Sequence, residues 1–401
     1  MTEAHGNNAR TCEAARLMAG FAQRTGLDPA RDTPQRYLWT DAFAVCNYIA
    51  LYGRSKDGRY LSLAGSMIHQ VHRVLGRHRA DDRRQGWISG LEDEVARHHP
   101  TAGGLRIGKP LPERRAGEPF DERLEWERDG QYFHYLTKWM HALWRFAAVS
   151  SEPEYLRYAR ELARTAFAKF AMPEPRGGPD RLAWKMNIDL TAAQVGAVGL
   201  HDPLDGYVTF RVLQTAGHFG TQADFDLDPE IEQLHRMLGS QASFASDDPL
   251  GVGGLLFDAC RLVQLGAAAS ADDLTLAERL LRDAASSLRA GLWAQLCRRP
   301  AGSRLGFREL GLAIGLEGLP AMIADLSEQT SHAVRGGEPA LAEFERYASV
   351  AEEIEAFWLD PVHREAEVWR EHQDINEVML ASVLLPEGLL GVESAAGEGC
   401  D

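Results

Sequence analysis

The sequence predicts an all-α protein of the (α/α)6 toroid class, six helical hairpins set as an inner and an outer ring. Three observations carry that expectation. Sustained two-residue alternation is absent, while helical spacing recurs from end to end. The helices are of two kinds: one amphipathic with a charged face, the other almost wholly apolar, often glycine-rich, with polar residues at its start. The two kinds alternate strictly, outer then inner, six times, at a period too long and irregular for an open solenoid. Residues 1–401 are expected to form this single domain, with a long rim loop at about 77–130.

Outer helices are expected at about 13–26, 60–76, 154–170, 228–242, 275–296 and 340–358. Inner helices are expected at about 41–53, 131–146, 203–217, 249–266, 308–326 and 372–386. Charged faces belong at the surface, and glycine-rich apolar helices belong where backbones approach closely. The outer-to-inner links are long, about 27–40, 77–130, 171–202 and 359–371, and all fall on the rim where inner helices begin. Long loops on one rim are a usual place for function, and the inner N-termini add dipoles suited to anionic groups.

The first link ends Tyr-Leu-Trp-Thr-Asp-Ala-Phe (37–43). Either Asp41 is the N-cap of the first inner helix, or Thr40 is the cap and Asp41 faces the lumen. The second link carries Gly-Trp-Ile-Ser-Gly (86–90), then His98 to Lys109, then Leu-Glu-Trp-Glu-Arg-Asp-Gly (124–130). Glycines around Arg106 and Lys109 permit tight turns, and these two cations suit a substrate carboxylate or phosphate. A folded loop with surface charge explains them as well. No strand precedes this loop and no Ser or Thr follows Lys109, so it is not a Walker loop. His98 and His99 lack metal-ligand spacing, and neither metal nor cofactor is expected.

The helix from Gln131 is apolar or aromatic on most of its surface, yet His134, Thr137, Lys138 and His141 share one face. Unpaired buried polar groups cost roughly 2–7 kcal/mol, so this stripe needs water, a ligand or polar partners. Cavity lining and a satisfied core stripe both fit. The third link places Lys185, Asn187 and Asp189 in alternation, an extended segment or a solvent-facing loop. His-Asp-Pro-Leu-Asp-Gly (201–206) and Asp-Asp-Pro-Leu-Gly-Val (247–252) each open an inner helix, with Asp202 and Asp248 reading as N-caps before a first-turn proline. The last inner helix opens with His372, Gln373, Asp374, Asn376 and Glu377, more polar groups than capping alone explains. Trp39, Trp87, Trp126, Trp184 and Trp369 fall in or beside these links, five of nine in the chain, so indole faces gather where carboxylates and amides do. That combination suits a sugar ring, whose C–H face stacks while its hydroxyls find partners. Packing at the toroid end is the plain counterpart.

The chain resembles the six-hairpin glycosidase superfamily in helix order and rim composition over nearly its whole length. That group includes glucoamylase-like and unsaturated-uronyl hydrolases, and the N-acylglucosamine 2-epimerases have a related toroid. Trp-Glu-Arg-Asp-Gly-Gln-Tyr-Phe-His-Tyr-Leu-Thr-Lys-Trp (126–139) and Trp-Lys-Met-Asn-Ile-Asp-Leu (184–190) look like signatures of a bacterial family within it. The resemblance implies glycoside hydrolysis, which needs two carboxyl groups. Asp41, Glu127, Asp129, Asp189, Asp205, Asp374 and Glu377 are the supply, with Asp129 expected as acid and Glu377 or Asp374 as base. The epimerase relatives imply proton transfer by paired histidines instead, here from His134, His201 and His372. A toroid that only binds a glycan is the third reading. Gln131, Lys138, Lys185 and Asn376 are expected among the substrate contacts. A lanthionine-type cyclase would need a Cys/Cys/His set, which the cysteines do not supply. The aspartates at 224, 226 and 228 precede an outer helix, where a terpene cyclase would not place them.

The net charge of -15 and pI near 5.4 argue against nucleic acid or an acidic membrane as partner, leaving a small-molecule or oligosaccharide substrate. The start lacks a signal-peptide pattern, and no run spans a bilayer. Five scattered cysteines without a Cys-x-x-Cys pair complete the expectation of a reduced, cytoplasmic protein.

Overall fold

The structure is a computed structural model, and it describes residues 2–115, 117–174, 180–216, 226–239, 241–322, 344 and 347–391. Helices dominate it. They are α1 (Thr2–Thr25), α2 (Leu38–Ser55), α3 (Gly58–Leu75), α4 (Asp93–His98), α5 (Glu122–Glu127), α6 (Phe133–Ser150), α7 (Pro153–Phe170), α8 (Asp202–Thr215) and α9 (Asp228–Leu238). There follow α10 (Pro249–Val263), α11 (Ala271–Arg289), α12 (Leu292–Leu296), α13 (Gly306–Glu317), α14 (Ala348–Leu359), α15 (Pro361–Arg364), α16 (Glu367–Glu371), α17 (Gln373–Leu384) and α18 (Pro386–Leu390). The strands among the described residues form two short antiparallel pairs. β1 (Gln131–Tyr132) pairs with β4 (Lys185–Met186), and β2 (Ala171–Met172) pairs with β3 (Arg181–Leu182).

The fold class is the all-α one expected, with outer and inner helices in the order of the (α/α)6 class. Helices α1, α3, α7, α9, α11 and α14 correspond to the expected outer set, and α2, α6, α8, α10, α13 and α17 to the inner set. The ends expected at 323–326 and 340–343 lie outside the described residues. The inner α10 is buried along nearly its whole length, from Val252 to Val263. The outer α11 buries one stripe, Leu276, Leu280, Leu281, Ala284 and Leu288, and starts with a capping box between Ser270 and Asp273.

The chain divides into two compact units. The central unit is Ala22–Ile49 with Gly58–Gln241, and the terminal unit is Met1–Phe21, Ala50–Asp57 and Ala242–Asp401. In the central unit α6 packs on α7 and α8 on α9, while α6 also lies beside α8 and carries α3. Edge-to-face contacts such as Phe133 with Phe170 at 5.5 Å and Phe146 with Tyr155 at 4.7 Å lock these helices. Trp139 donates from Nε1 to Nε2 of His72 at 3.2 Å. Burial pushes the His72 imidazole down to about 3, which keeps that ring a neutral acceptor.

In the terminal unit α10 packs on α11 and on α13, and α13 packs on α14 and α17. The α10–α13 crossing has bare backbone at its centre. A Cβ on Gly253 would sit 2.1 Å from the Gly311 carbonyl oxygen, and one on Gly315 would sit 2.6 Å from that of Gly253. The expectation that glycine-rich inner helices approach closely is met here by three residues.

Cysteine chemistry departs from the expectation at one position, because Cys12 is disulfide-bonded. Cys46 and Cys260 are buried thiols and Cys297 is an exposed one. No helix among the described residues is long and apolar enough to cross a membrane.

Candidate functional site

Helix α6 begins at Phe133 rather than Gln131, because Gln131 and Tyr132 extend to pair with Met186 and Lys185. Its polar stripe faces α8. Lys138 donates through Nζ to Asp205 Oδ1, and His134 Nδ1 lies 3.4 Å from Asp202 Oδ1. Thr137 returns its hydroxyl to the His134 carbonyl at 2.9 Å, and His141 is buried against Trp144. Of the four stripe residues Lys138 is answered fully by an acid of the next inner helix, and Thr137 by its own helix backbone. At the His134 end the match is incomplete: His134 Nδ1 and Asp202 Oδ2 are buried atoms with no hydrogen-bond partner.

Asp202 was expected to cap α8. The cap position belongs to His201, whose side chain does not cap the helix, and Asp202 is the first helical residue, 4% exposed. Its carboxyl lies so close to Gly199 that a Cβ there would meet Asp202 Oδ1 at 2.5 Å. The parallel expectation for Asp248 holds, since its side chain accepts from the Leu250 N–H at 3.3 Å.

From His134 an aromatic tier runs through the central unit. The His134 ring stacks on Tyr132 at 5.3 Å and meets Tyr135 edge-on at 4.8 Å. Tyr135 shares a 2.8 Å hydroxyl–hydroxyl bond with Tyr37. On the other side of the tier Tyr132 stacks against Trp126 at 6.3 Å, and Trp126 meets Trp184 at 4.7 Å. Tyr132 is buried, whereas Tyr37, Trp126, His134, Tyr135 and Trp184 are half-buried. Glu127 borders the tier and is exposed, and its side chain makes no hydrogen bond or ion pair among the described residues. Burial raises the Tyr132 and Tyr37 phenols, and the charge of Glu127 adds to both shifts. Tyr37, Tyr132, Tyr135 and Asp202 were not expected as site residues. The three-residue spacing of Tyr132 and Tyr135, beside His134, is the signal that would have found two of them.

Much of the expected site is instead the fastening of the rim loop. Asp129 is fully buried. Its Oδ2 accepts from Arg106 Nη1 at 2.5 Å and Arg79 Nη1 at 3.5 Å. Its Oδ1 accepts from the backbone N–H groups of Gly108 at 3.0 Å, Lys109 at 3.3 Å and Gly130 at 3.0 Å. A carboxylate so fully engaged holds loops together and has no face for a substrate, which corrects its expected role as acid. Arg106 is corrected with it, because its other donors reach the Arg77 carbonyl at 2.7 Å and the Val74 carbonyl at 2.7 Å.

Gln131 is fully buried and bonds Leu105 N–H, Gly103 O and Ile188 O, so it ties the 103–105 loop to the segment at Ile188. Lys185 is also fully buried and donates to the carbonyls of Glu125 and Arg128. Burial first, then the charge of Lys109, pushes its ammonium down to about 8. Lys109 gives its Nζ to the Trp126 carbonyl. Asp189 pairs with Arg84 at 2.8 Å and accepts from the Thr191 hydroxyl at 2.6 Å. The expected extended segment at 185–189 exists as strand only at Lys185–Met186. Lys109 and Lys185 also lie over the Tyr132 ring, at 5.7 and 5.3 Å, and all four of these polar residues have backbone or ion-pair partners.

Asp41 is neither cap nor lumen group. It lies in the first turn of α2, buried, and reaches back to the Tyr37 N–H at 3.0 Å with Arg36 3.5 Å away. Trp39 is buried against Phe43, and Trp87 is held by Asp93 at 2.9 Å under the Arg77 guanidinium.

The polar cluster at 372–377 belongs to the terminal unit. Asn376 is buried, accepts from the Phe307 N–H at 2.7 Å and donates to the Trp369 carbonyl at 3.1 Å, so it joins α17 to the start of α13. Trp369 is buried and stacked on Trp358 at 4.7 Å. His372 is exposed beside Phe307, and Glu377 accepts from Gln373 at 2.9 Å. Asp374 is half-buried. Among the described residues no group of three or more His, Cys, Asp or Glu side chains is arranged to hold a metal ion.

No protein-family model matches the chain, and no curated protein does. Among solved structures it is similar to an unsaturated glucuronyl hydrolase specific for heparin, at a TM-score of 0.32 and 13% identity, over 69% of this chain and 83% of that one. A likeness of that size carries no weight for the chemistry of the site.

Proposed function

We propose that the protein is a carbohydrate-active enzyme that hydrolyses a glycosidic bond at the aromatic tier of the central unit. The observation that carries this reading is the joining of that tier to two acids, Glu127 and Asp202, that keep carboxylate oxygens without a hydrogen-bond donor. Trp126, Trp184, Tyr135 and Tyr37 offer half-buried ring faces and edges, the surface on which the C–H face of a sugar stacks. Glu127, open to solvent, borders Tyr132, and Asp202 reaches the same ring through His134. Asp202 is the candidate proton donor to the leaving oxygen, and Glu127 the candidate carboxylate that activates water or attacks carbon directly. His134 is a positioning residue for Asp202. Lys138 and Asp205, one turn further along α6 and α8, are candidate hydroxyl contacts.

The test is a screen of aryl glycosides and oligosaccharides, followed by Glu127→Gln and Asp202→Asn on any substrate that is turned over. Loss of at least a hundredfold in kcat for both, with sugar binding retained, is the expected outcome (about 2.7 kcal/mol of barrier each). Full turnover in both variants would sink the assignment. Binding without turnover by the unaltered chain would make it a glycan-binding protein.

A further inference from the structure

The terminal unit contains a cavity of about 700 Å³ that the carbohydrate reading does not use. It opens where α10 and α13 begin, and the ends of α11 and α12 form its other wall. Six charged side chains line it: Asp247, Asp248, Arg299, Arg304, Arg308 and Glu309. Their formal charges cancel, but their engagement differs.

Glu309 is fully used, by two donors of Arg304 and by Trp358 Nε1 at 3.0 Å. Asp248 is used by Arg308 Nη1 at 2.6 Å and by the α10 backbone. The guanidinium groups keep donors in reserve. Arg304 is 2% exposed and lies flat on Phe357 at 3.6 Å; its Nε and Nη2 serve Glu309, while its Nη1 has no partner among the described residues. Arg308 Nε is a buried atom with no hydrogen-bond partner. Arg299 is exposed, and its side chain makes no hydrogen bond or ion pair among the described residues. The α10 and α13 N-termini add positive dipole ends at the same wall. Asp247, exposed, is the one adverse charge left over.

Unspent N–H donors on three guanidinium groups, one of them almost wholly buried, are the complement of an oxyanion. We propose that this cavity binds a small anionic metabolite through a carboxylate or phosphate group, held in the fork of Arg304 and Arg308 and closed over by Arg299. Its volume suits a molecule larger than the bare ion.

The test is calorimetric titration of the full chain at low salt, with inorganic phosphate and citrate as separate probes. Saturable binding of either, one per chain, is expected. Arg299→Gln should weaken it on the order of tenfold, the worth of one charge-assisted hydrogen bond. Asp247→Asn should tighten it, a gain that misfolding cannot mimic. Phosphate binding without citrate binding assigns a phosphoryl ligand, and the reverse assigns an organic acid. Failure of both probes, or binding untouched by Arg299→Gln and Asp247→Asn, overturns the proposal.

Discussion

His134 Nδ1 stands 3.4 Å from Asp202 Oδ1, while one turn along the same two helices Lys138 is bonded directly to Asp205. The two pairs use the same helix spacing and differ in closure. One is a completed ion pair. The other leaves Nδ1 and Oδ2 buried and unengaged, which is the arrangement expected of groups that await a third party.

That difference predicts opposite mutational costs. Asp205→Ala removes the carboxylate that the Lys138 ammonium is bonded to in a largely buried pair and should cost about 3–5 kcal/mol. Asp202→Asn removes a charge that has no donor on Oδ2 and should cost under about 1 kcal/mol. Urea midpoints of the two variants decide it. Equal losses would make Asp202 a structural partner like Asp205.

Asp129 predicts the reverse of a catalytic residue. Replacing it with alanine leaves Arg106 Nη1 and three backbone N–H groups without their acceptor, and should destabilise the chain by about 3–5 kcal/mol. Asp129→Asn, which keeps one carbonyl acceptor, should cost less. Thermal melts of both check this; an unshifted melt for Asp129→Ala contradicts the fastening role.

Lys185 predicts a stability change on the alkaline side. Its folded value of about 8 lies below the ordinary 10.5, so between these pH values the unfolded chain binds the extra proton. Stability should therefore rise from about pH 8 toward 10.5, by an amount on the order of 2–3 kcal/mol. Denaturant midpoints across that range should climb for the natural chain, and Lys185→Met should flatten the climb. A flat profile for the natural chain argues that carbonyl partners hold the ammonium charged throughout.

Trp126 and Trp184 predict a binding defect without a folding defect. Each is half-buried, and neither indole N–H has a partner among the described residues. Alanine at either should weaken sugar binding several-fold, from loss of about 0.5–1.5 kcal/mol of stacking. Titration of an accepted oligosaccharide checks this; affinities equal to that of the natural chain would move the sugar site elsewhere.

The helical order was legible because outer and inner helices differ in composition. Charged faces such as that of α11 and apolar stretches such as α10 need no tertiary knowledge to sort. The site was much less legible, and Asp202 and Asp248 show why. Both stand before a proline at the start of an inner helix, yet Asp248 caps and Asp202 does not. The outcome follows local backbone angles, because the cap position is extended at Asp248, with ψ 123°, but falls to His201 with ψ -6° in the other helix. Asp129, Arg106, Gln131 and Lys185 taught a related lesson. Polar residues in a long link can line a cavity or stitch its wall, and both tasks demand the same residue types. Only burial and partners separate them. The Tyr37–Tyr135 pair is not legible in the sequence, because it joins two segments that lie far apart in the chain.

The glycine crossing of α10 and α13 has an evolutionary corollary. Where two backbones touch, no rotamer can swing aside to absorb an added methyl group, so drift has nowhere to go. Positions 253 and 315 should thus be the slowest to diverge among descendants of this gene, slower than acids whose work a neighbour can inherit.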